Sequence, residues 1–181
     1  MIVKKVAGPE DMPVTLEEAR NAARVNGTDH DAELTSIVNA LTAEAEAYLC
    51  KAIINRTYAV YLDSFPGLIE LPYLPVAEVV EVTYYDAEGM EQTLSPELWL
   101  LDESYLNPSL TPAYGTRWPD TQTRHNAVKI TYIAGHGSSS ASTPPAFKGY
   151  ILAKIKEYFA PPGTPEFPNL RAMLFGLKAH V

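Results

Sequence analysis

Apolar positions recur at helical spacing near both ends of the chain and alternate with polar ones in the middle, so the pattern predicts helices flanking a β region. The run Val14-Thr15-Leu16-Glu17-Glu18 forms a capping box, in which Thr15 caps the first amides and Glu18 reaches back to it. A short helix is expected from Leu16 to about Arg24, stopped at Asn26-Gly27. Asp29 or Asp31 offers a second N-cap. The helix that follows sets Leu34, Ile37, Val38, Leu41, Ala45, Tyr48 and Leu49 on one face and leaves Glu33, Glu44 and Glu46 to water.

After Ile54 the rhythm becomes alternating. Strands are expected around Tyr58 to Leu62 and Leu68 to Leu71, which look able to pair as a hairpin across Pro66-Gly67. A second hairpin is expected from Val76 to Tyr85, through the turn Asp86 to Gly89, to Glu91 and Leu94. Leu98 to Leu101 and Ala127 to Ala134 read as further strands of an antiparallel or mixed sheet. Prolines at 108, 112 and 119, with Gly115, predict a surface loop around Trp118 that is a candidate contact loop. Gly135 to Thr143 reads as flexible, and Pro144-Pro145 opens a third helix carrying Phe147, Tyr150, Ile151, Ile155, Tyr158 and Phe159. Four prolines between residues 161 and 168 form a stiff spacer, beyond which Leu170 to Leu177 has the spacing of a final short helix. The whole is expected to be one α+β domain. In it, a mainly helical bundle of two N-terminal helices and one long and one short C-terminal helix carries a small β region between residues of about 56 and 134.

Composition narrows the function classes. With 46% apolar and 20% charged residues in 181, the chain is expected to fold around one main core, without a membrane span or a signal peptide, and to be made in the cytoplasm. The net charge of −8 argues against binding nucleic acid through its phosphates. The charge is uneven: residues 1–143 hold 9 basic and 20 acidic side chains, a balance of −11, whereas residues 144–181 hold 5 and 2, a balance of +3. Such asymmetry favours association of a negative face with a positive segment of another copy or partner. The basic segment makes Leu170, Arg171, Met173, Leu174, Leu177 and Lys178, together with Trp118, the candidate assembly residues.

No residue cluster organises chemistry. Asp29-His30-Asp31 combines metal-ligating types, but adjacent positions at a helix start cannot all converge on one ion, and capping explains the acids. His125 and His136 flank a strand of about ten residues, which separates them by roughly 30 Å if extended. Gly135-His136-Gly137-Ser138 lacks the order of a nucleophile elbow or a phosphate loop. The lone Cys50 reads as a small buried hydrophobe. The eleven tyrosines suit strands and protein interfaces, since stacking on single-stranded nucleic acid also requires a basic groove. No catalytic residue, cofactor or metal is expected.

The order of motifs resembles the head–tail connector (adaptor) family of tailed phages and prophages. The features that carry it are Val14 to Ala19, the helix from Asp29 to Leu49, Arg56-Thr57-Tyr58, Leu71-Pro72-Tyr73-Leu74-Pro75-Val76 and Val79 to Asp86 with Gly89. Further along come Trp118-Pro119, Val128 to Tyr132 with Ala134-Gly135, and Pro145, so that nearly the whole chain is covered. One departure is the third helix, which reads Ile155 to Ala160 in place of a Trp-Tyr pair followed by an acidic-basic run. The resemblance implies a non-enzymatic virion protein whose copies, often twelve, form a ring beneath the portal. That ring would join the portal to a stopper or tail protein and extend a channel through which packaged DNA passes without specific binding. The proline-tethered tail is expected to dock on a neighbouring copy or the portal. Two other readings are a tail-completion or terminator ring protein and a small hydrolase using His125 or His136.

Overall fold

Thr15 Oγ1 accepts the Glu18 amide at 3.1 Å and Glu18 Oε2 accepts the Thr15 amide at 2.8 Å, so the expected capping box opens the first helix. The computed structural model describes residues 1–9, 11–102, 108–164 and 169–177. Helix α1 (Leu16–Ala23) stops at Arg24, which takes the left-handed conformation (φ 58°). Helix α2 (Asp31–Leu49) ends the same way at Cys50 (φ 54°). Cys50 is exposed, contrary to the expectation of a buried hydrophobe, because the left-handed cap turns it away from the face that ends in buried Leu49. The expected Asp cap is also absent. His30 occupies the N-cap without a side-chain cap bond, and Asp31 instead binds Arg20 of α1.

The chain divides into two compact units. One, from residues 9–54 and 136–180, contains α1, α2, α3 (Pro145–Tyr158) and a 3-10 segment from Leu170 to Leu177. Its core joins Val14, Ala19, Leu34, Val38, Leu49, Phe147, Tyr150, Ile151, Ile155 and Leu174, all fully buried or nearly so. The segment 135–143 is not slack. In this unit Ser142 and Thr143 amides bond back to Ser139 and Ser140 carbonyls, and the Ser140 amide bonds Asp11. A Cβ on Gly137 would lie 2.2 Å from Ser142 Oγ, so only glycine fits this close turn.

The other unit, residues 1–8 and 55–135, is β-rich. Its strands are β1 (Ile2–Ala7), β2 (Arg56–Leu62), β3 (Ile69–Glu70), β4 (Val76–Tyr85), β5 (Glu91–Thr93), β6 (Trp99–Asp102), β7 (Ser109–Pro112) and β8 (Val128–Ala134). They form a five-stranded sheet of order β1-β2-β8-β4-β5 and a three-stranded sheet of order β3-β7-β6, with every pairing antiparallel. Central β8 opposes Tyr58 of β2 with Tyr132, whose rings stack at 5.7 Å. Tyr73 stacks on Tyr58 at 4.3 Å and its amide donates to the Tyr132 hydroxyl at 3.3 Å, which anchors the Leu-Pro-Tyr-Leu-Pro stretch. Burial pushes the Tyr132 phenol well above its ordinary pKa, so the hydroxyl stays protonated.

These sheets overturn the expected mainly helical bundle with a small inserted β region. Among the described residues there are two antiparallel sheets, of five and three strands, with 33% helix and 27% strand. The shortfall has two causes. Edge strand β1, Ile-Val-Lys-Lys-Val-Ala, is exposed at all positions but Val3, so it carries no alternation to read. The smaller sheet is assembled from pieces of 2, 4 and 4 residues, each too short to show a period. For the same reason the run near Leu68 to Leu71 does not pair with β2: Ile69 lies opposite Leu110 of β7, inside the stretch read as a loop. The second hairpin, β4 with β5, forms as expected.

Candidate assembly surfaces

The five-stranded sheet presents two open edges. Among the described residues β1 is bonded to β2 alone and β5 to β4 alone, so each leaves one row of backbone groups facing outward. On β1, Lys4 and Lys5 are exposed beside Ile2 and Val6, and Lys4 Nζ lies 5.2 Å from the centre of the Tyr61 ring. On β5, Glu91, Gln92 and Thr93 are all exposed, and the preceding turn adds exposed Glu88 and Met90. That turn is fixed by Asp86, whose carboxylate accepts from the Gln92 side chain and the Met90 amide, both at 2.8 Å. These bonds hold the Asp86 carboxyl below its ordinary pKa and the turn negative at neutral pH.

Trp118 is half-buried. Its ring stacks on Phe65 at 4.8 Å, and Phe65 meets Tyr84 edge-on at 5.6 Å. The apolar groups turned outward near the smaller sheet are ones the sequence reading passed over: Leu98, Leu100 and the fully exposed Tyr114. Leu100 sits at the outward position of β6, between half-buried Trp99 and Leu101, and this alternation was the available signal.

A hollow of about 560 Å³ is lined by Asp63, Ser64 and residues 121–125. In it His125 Nδ1 lies 3.2 Å from Asp63 Oδ2, and the Asn126 amide donates to Asp63 Oδ1 at 2.8 Å. The Asn126 amide, and then His125, hold the Asp63 carboxyl below its ordinary pKa. Arg124 lies 4.0 Å above the Tyr85 ring. His125 is 94% exposed, so nothing in the hollow shields a proton transfer from water. His136, in the other unit, has its pKa lowered by burial and then by Lys51. Among the described residues, no three His, Cys, Asp or Glu side chains are placed to hold a metal ion.

In the helical unit the C-terminal segment is used from within. Leu174 is fully buried, and Leu170 and Leu177 pack against the same core. Arg171 Nη2 donates to Glu44 at 2.5 Å and its guanidinium lies 5.8 Å from the Tyr48 ring. What this segment offers outward is Met173 and Phe175, 42% and 56% exposed, with Tyr158 of α3 exposed in the same unit. Lys178 lies outside the described residues.

Among the described residues no helix is long and apolar enough to cross a membrane. No protein-family model matches the chain, and no curated protein matches it. Solved structures do. A chain in the neck of an empty gene transfer agent particle, computed with C6 symmetry, superposes with a TM-score of 0.81 at 23% identity, over 99% of this chain and 96% of that one. A chain in the virion of the native gene transfer agent particle gives 0.78 at the same identity and coverage. A chain in the native neck computed with C12 symmetry gives 0.73, again at 23% identity over 99% and 96%. The protein therefore shares the fold of a chain in the neck of the gene transfer agent particle, over 99% of its own sequence.

Proposed function

We propose that the chain is a structural, non-enzymatic ring subunit of the head–tail neck of a phage-like particle. Its ring, of about twelve copies in line with the C12 symmetry of one neck structure, joins the portal of the capsid to a stopper or tail protein and continues the DNA channel. The observation that carries this reading is the likeness, at a TM-score of 0.81 over 99% of the chain, to a protein of an assembled neck. The chemistry is consistent with it. A net charge of −8 repels the phosphates of passing DNA, so a channel built from this chain guides its cargo without gripping it. The outward Met173 and Phe175, with Arg171 beside them in the basic C-terminal segment, suit contact with a neighbouring copy or the portal.

Deleting the gene in cells that make the particle is the test. The expected result is DNA-filled heads and free tails that accumulate unjoined. Normal yields of tailed particles would overturn the proposal.

A further inference from the structure

The two open edges of the five-stranded sheet carry opposite charge. β1 brings Lys4 and Lys5, and β5 with its turn brings Glu88 and Glu91, all of them exposed. Lysine on an edge strand ordinarily blocks unwanted pairing, and it does so here for like edges. A two-fold contact of β1 with β1 would bring lysines together, and one of β5 with β5 would bring glutamates together; like charges placed opposite one another destabilise a strand pair. Only the unlike pair, β1 of one copy against β5 of the next, is attractive.

Strand direction agrees with the charge. Each of the four successive pairings in the sheet is antiparallel, so β1 and β5, at its two ends, run the same way. When β5 of one copy lies beside β1 of the next as parallel strands, both copies keep the same orientation. That is a head-to-tail contact, the kind that rotation closes into a ring, whereas a two-fold axis would produce an antiparallel pair of identical edges. β5 has only three residues, so the backbone ladder it can add is short and the charged side chains carry the selectivity.

We propose that neighbouring copies join through these edges, β1 of one chain on β5 of the next, so that the five-stranded sheets continue from subunit to subunit. This deepens the ring reading above and rests on it. The occupant of each edge is a second copy of this chain.

The test uses the full chain with Cys50→Ser, so that the exposed native thiol is silent, and with Lys5→Cys and Gln92→Cys together. Under oxidation the expected product is a covalent ladder that reaches the full ring, while either new cysteine alone gives no ladder. Dimers from Lys5→Cys alone would show a two-fold contact and overturn the inference. Oxidation and native mass measurement are made on the chain alone and mixed with the portal protein: a ring in either condition without a ladder would overturn the edge contact and leave the ring standing, and absence of both in both conditions would overturn the two together. A second arm reads charge. Lys4→Glu with Lys5→Glu should weaken self-association at least ~10-fold, as should Glu88→Lys with Glu91→Lys, because like charges then face each other. All four substitutions in one chain should restore it. If association is unchanged by either pair, the edges are not the contact.

Discussion

Trp118 lies flat against Phe65, with ring centres 4.8 Å apart and planes 10° from parallel. A residue of the candidate contact loop is thereby held within its own unit, and its indole nitrogen is buried without a partner among the described residues. The stack predicts a measurable coupling. In a double-mutant cycle of Phe65→Ala and Trp118→Ala, followed by chemical denaturation, the two changes should be non-additive by about 1 kcal/mol. Strict additivity would mean that the contact contributes nothing.

Leu174 should behave as a core residue. It is fully buried beside Phe147, Tyr150 and Ile151, so Leu174→Ala should cost about 3 kcal/mol of stability. Removing the whole C-terminal segment therefore damages the helical unit and says little about docking. Met173→Ser and Phe175→Ser are the cleaner probes: each should shift stability by under ~0.5 kcal/mol and weaken association if this segment meets a partner. Denaturation curves paired with sedimentation measurements distinguish the two effects.

The sequence was legible where a single segment carried its own signal. The capping box at Thr15, the seven-position apolar face of α2, the β4–β5 hairpin with its Asp86-to-Gly89 turn and the alternation in β8 all recur in the structure, but Glu46, expected to face water, is buried and accepts the Ile53 amide at 3.0 Å. The sequence fell short where structure depends on partners distant in the chain. β3 is defined by β7, about 40 residues away, and β1 by β2, more than 50 away, with no local period to reveal either. Asp31 was legible as an acid at a helix start, but its partner Arg20 became visible only once α1 and α2 were packed. The edge charges were in the sequence as Lys4-Lys5 and Glu88 with Glu91; what was missing was the strand order that places them at opposite ends of one sheet.

The Arg20–Asp31 pair links helix packing to pH. Arg20 Nε and Nη2 donate to the two Asp31 oxygens at 2.7 and 2.5 Å, and these bonds hold the Asp31 carboxyl below its ordinary value. A depressed carboxylate contributes stability above its unfolded pKa of about 3.9 and loses it as pH falls through the lower folded value. Asp31→Asn should therefore lower stability at neutral pH and flatten the acid limb of the stability curve. An unchanged acid limb would contradict the role given to this pair.

Gly135 closes the end of β8 against Asn55. Its φ is +146°, and a Cβ there would lie 2.5 Å from the Asn55 backbone nitrogen, a neighbour that cannot swing away. Gly135→Ala should cost roughly 3 kcal/mol or more by forcing that strand end apart. Gly67, with open space around it, is the control: Gly67→Ala should be close to neutral, and equal thermal shifts for the two variants would contradict the close approach.

The central claim is that copies of this chain close into a ring at the neck of a particle. Native mass measurement of the purified full-length protein, alone and mixed with the portal protein of the same particle, tests it most directly. The account predicts a single closed species at about twelve subunit masses, formed alone or on the portal, in line with the C12 neck structure. A chain that stays monomeric under both conditions, or that forms only two-fold dimers, would contradict it.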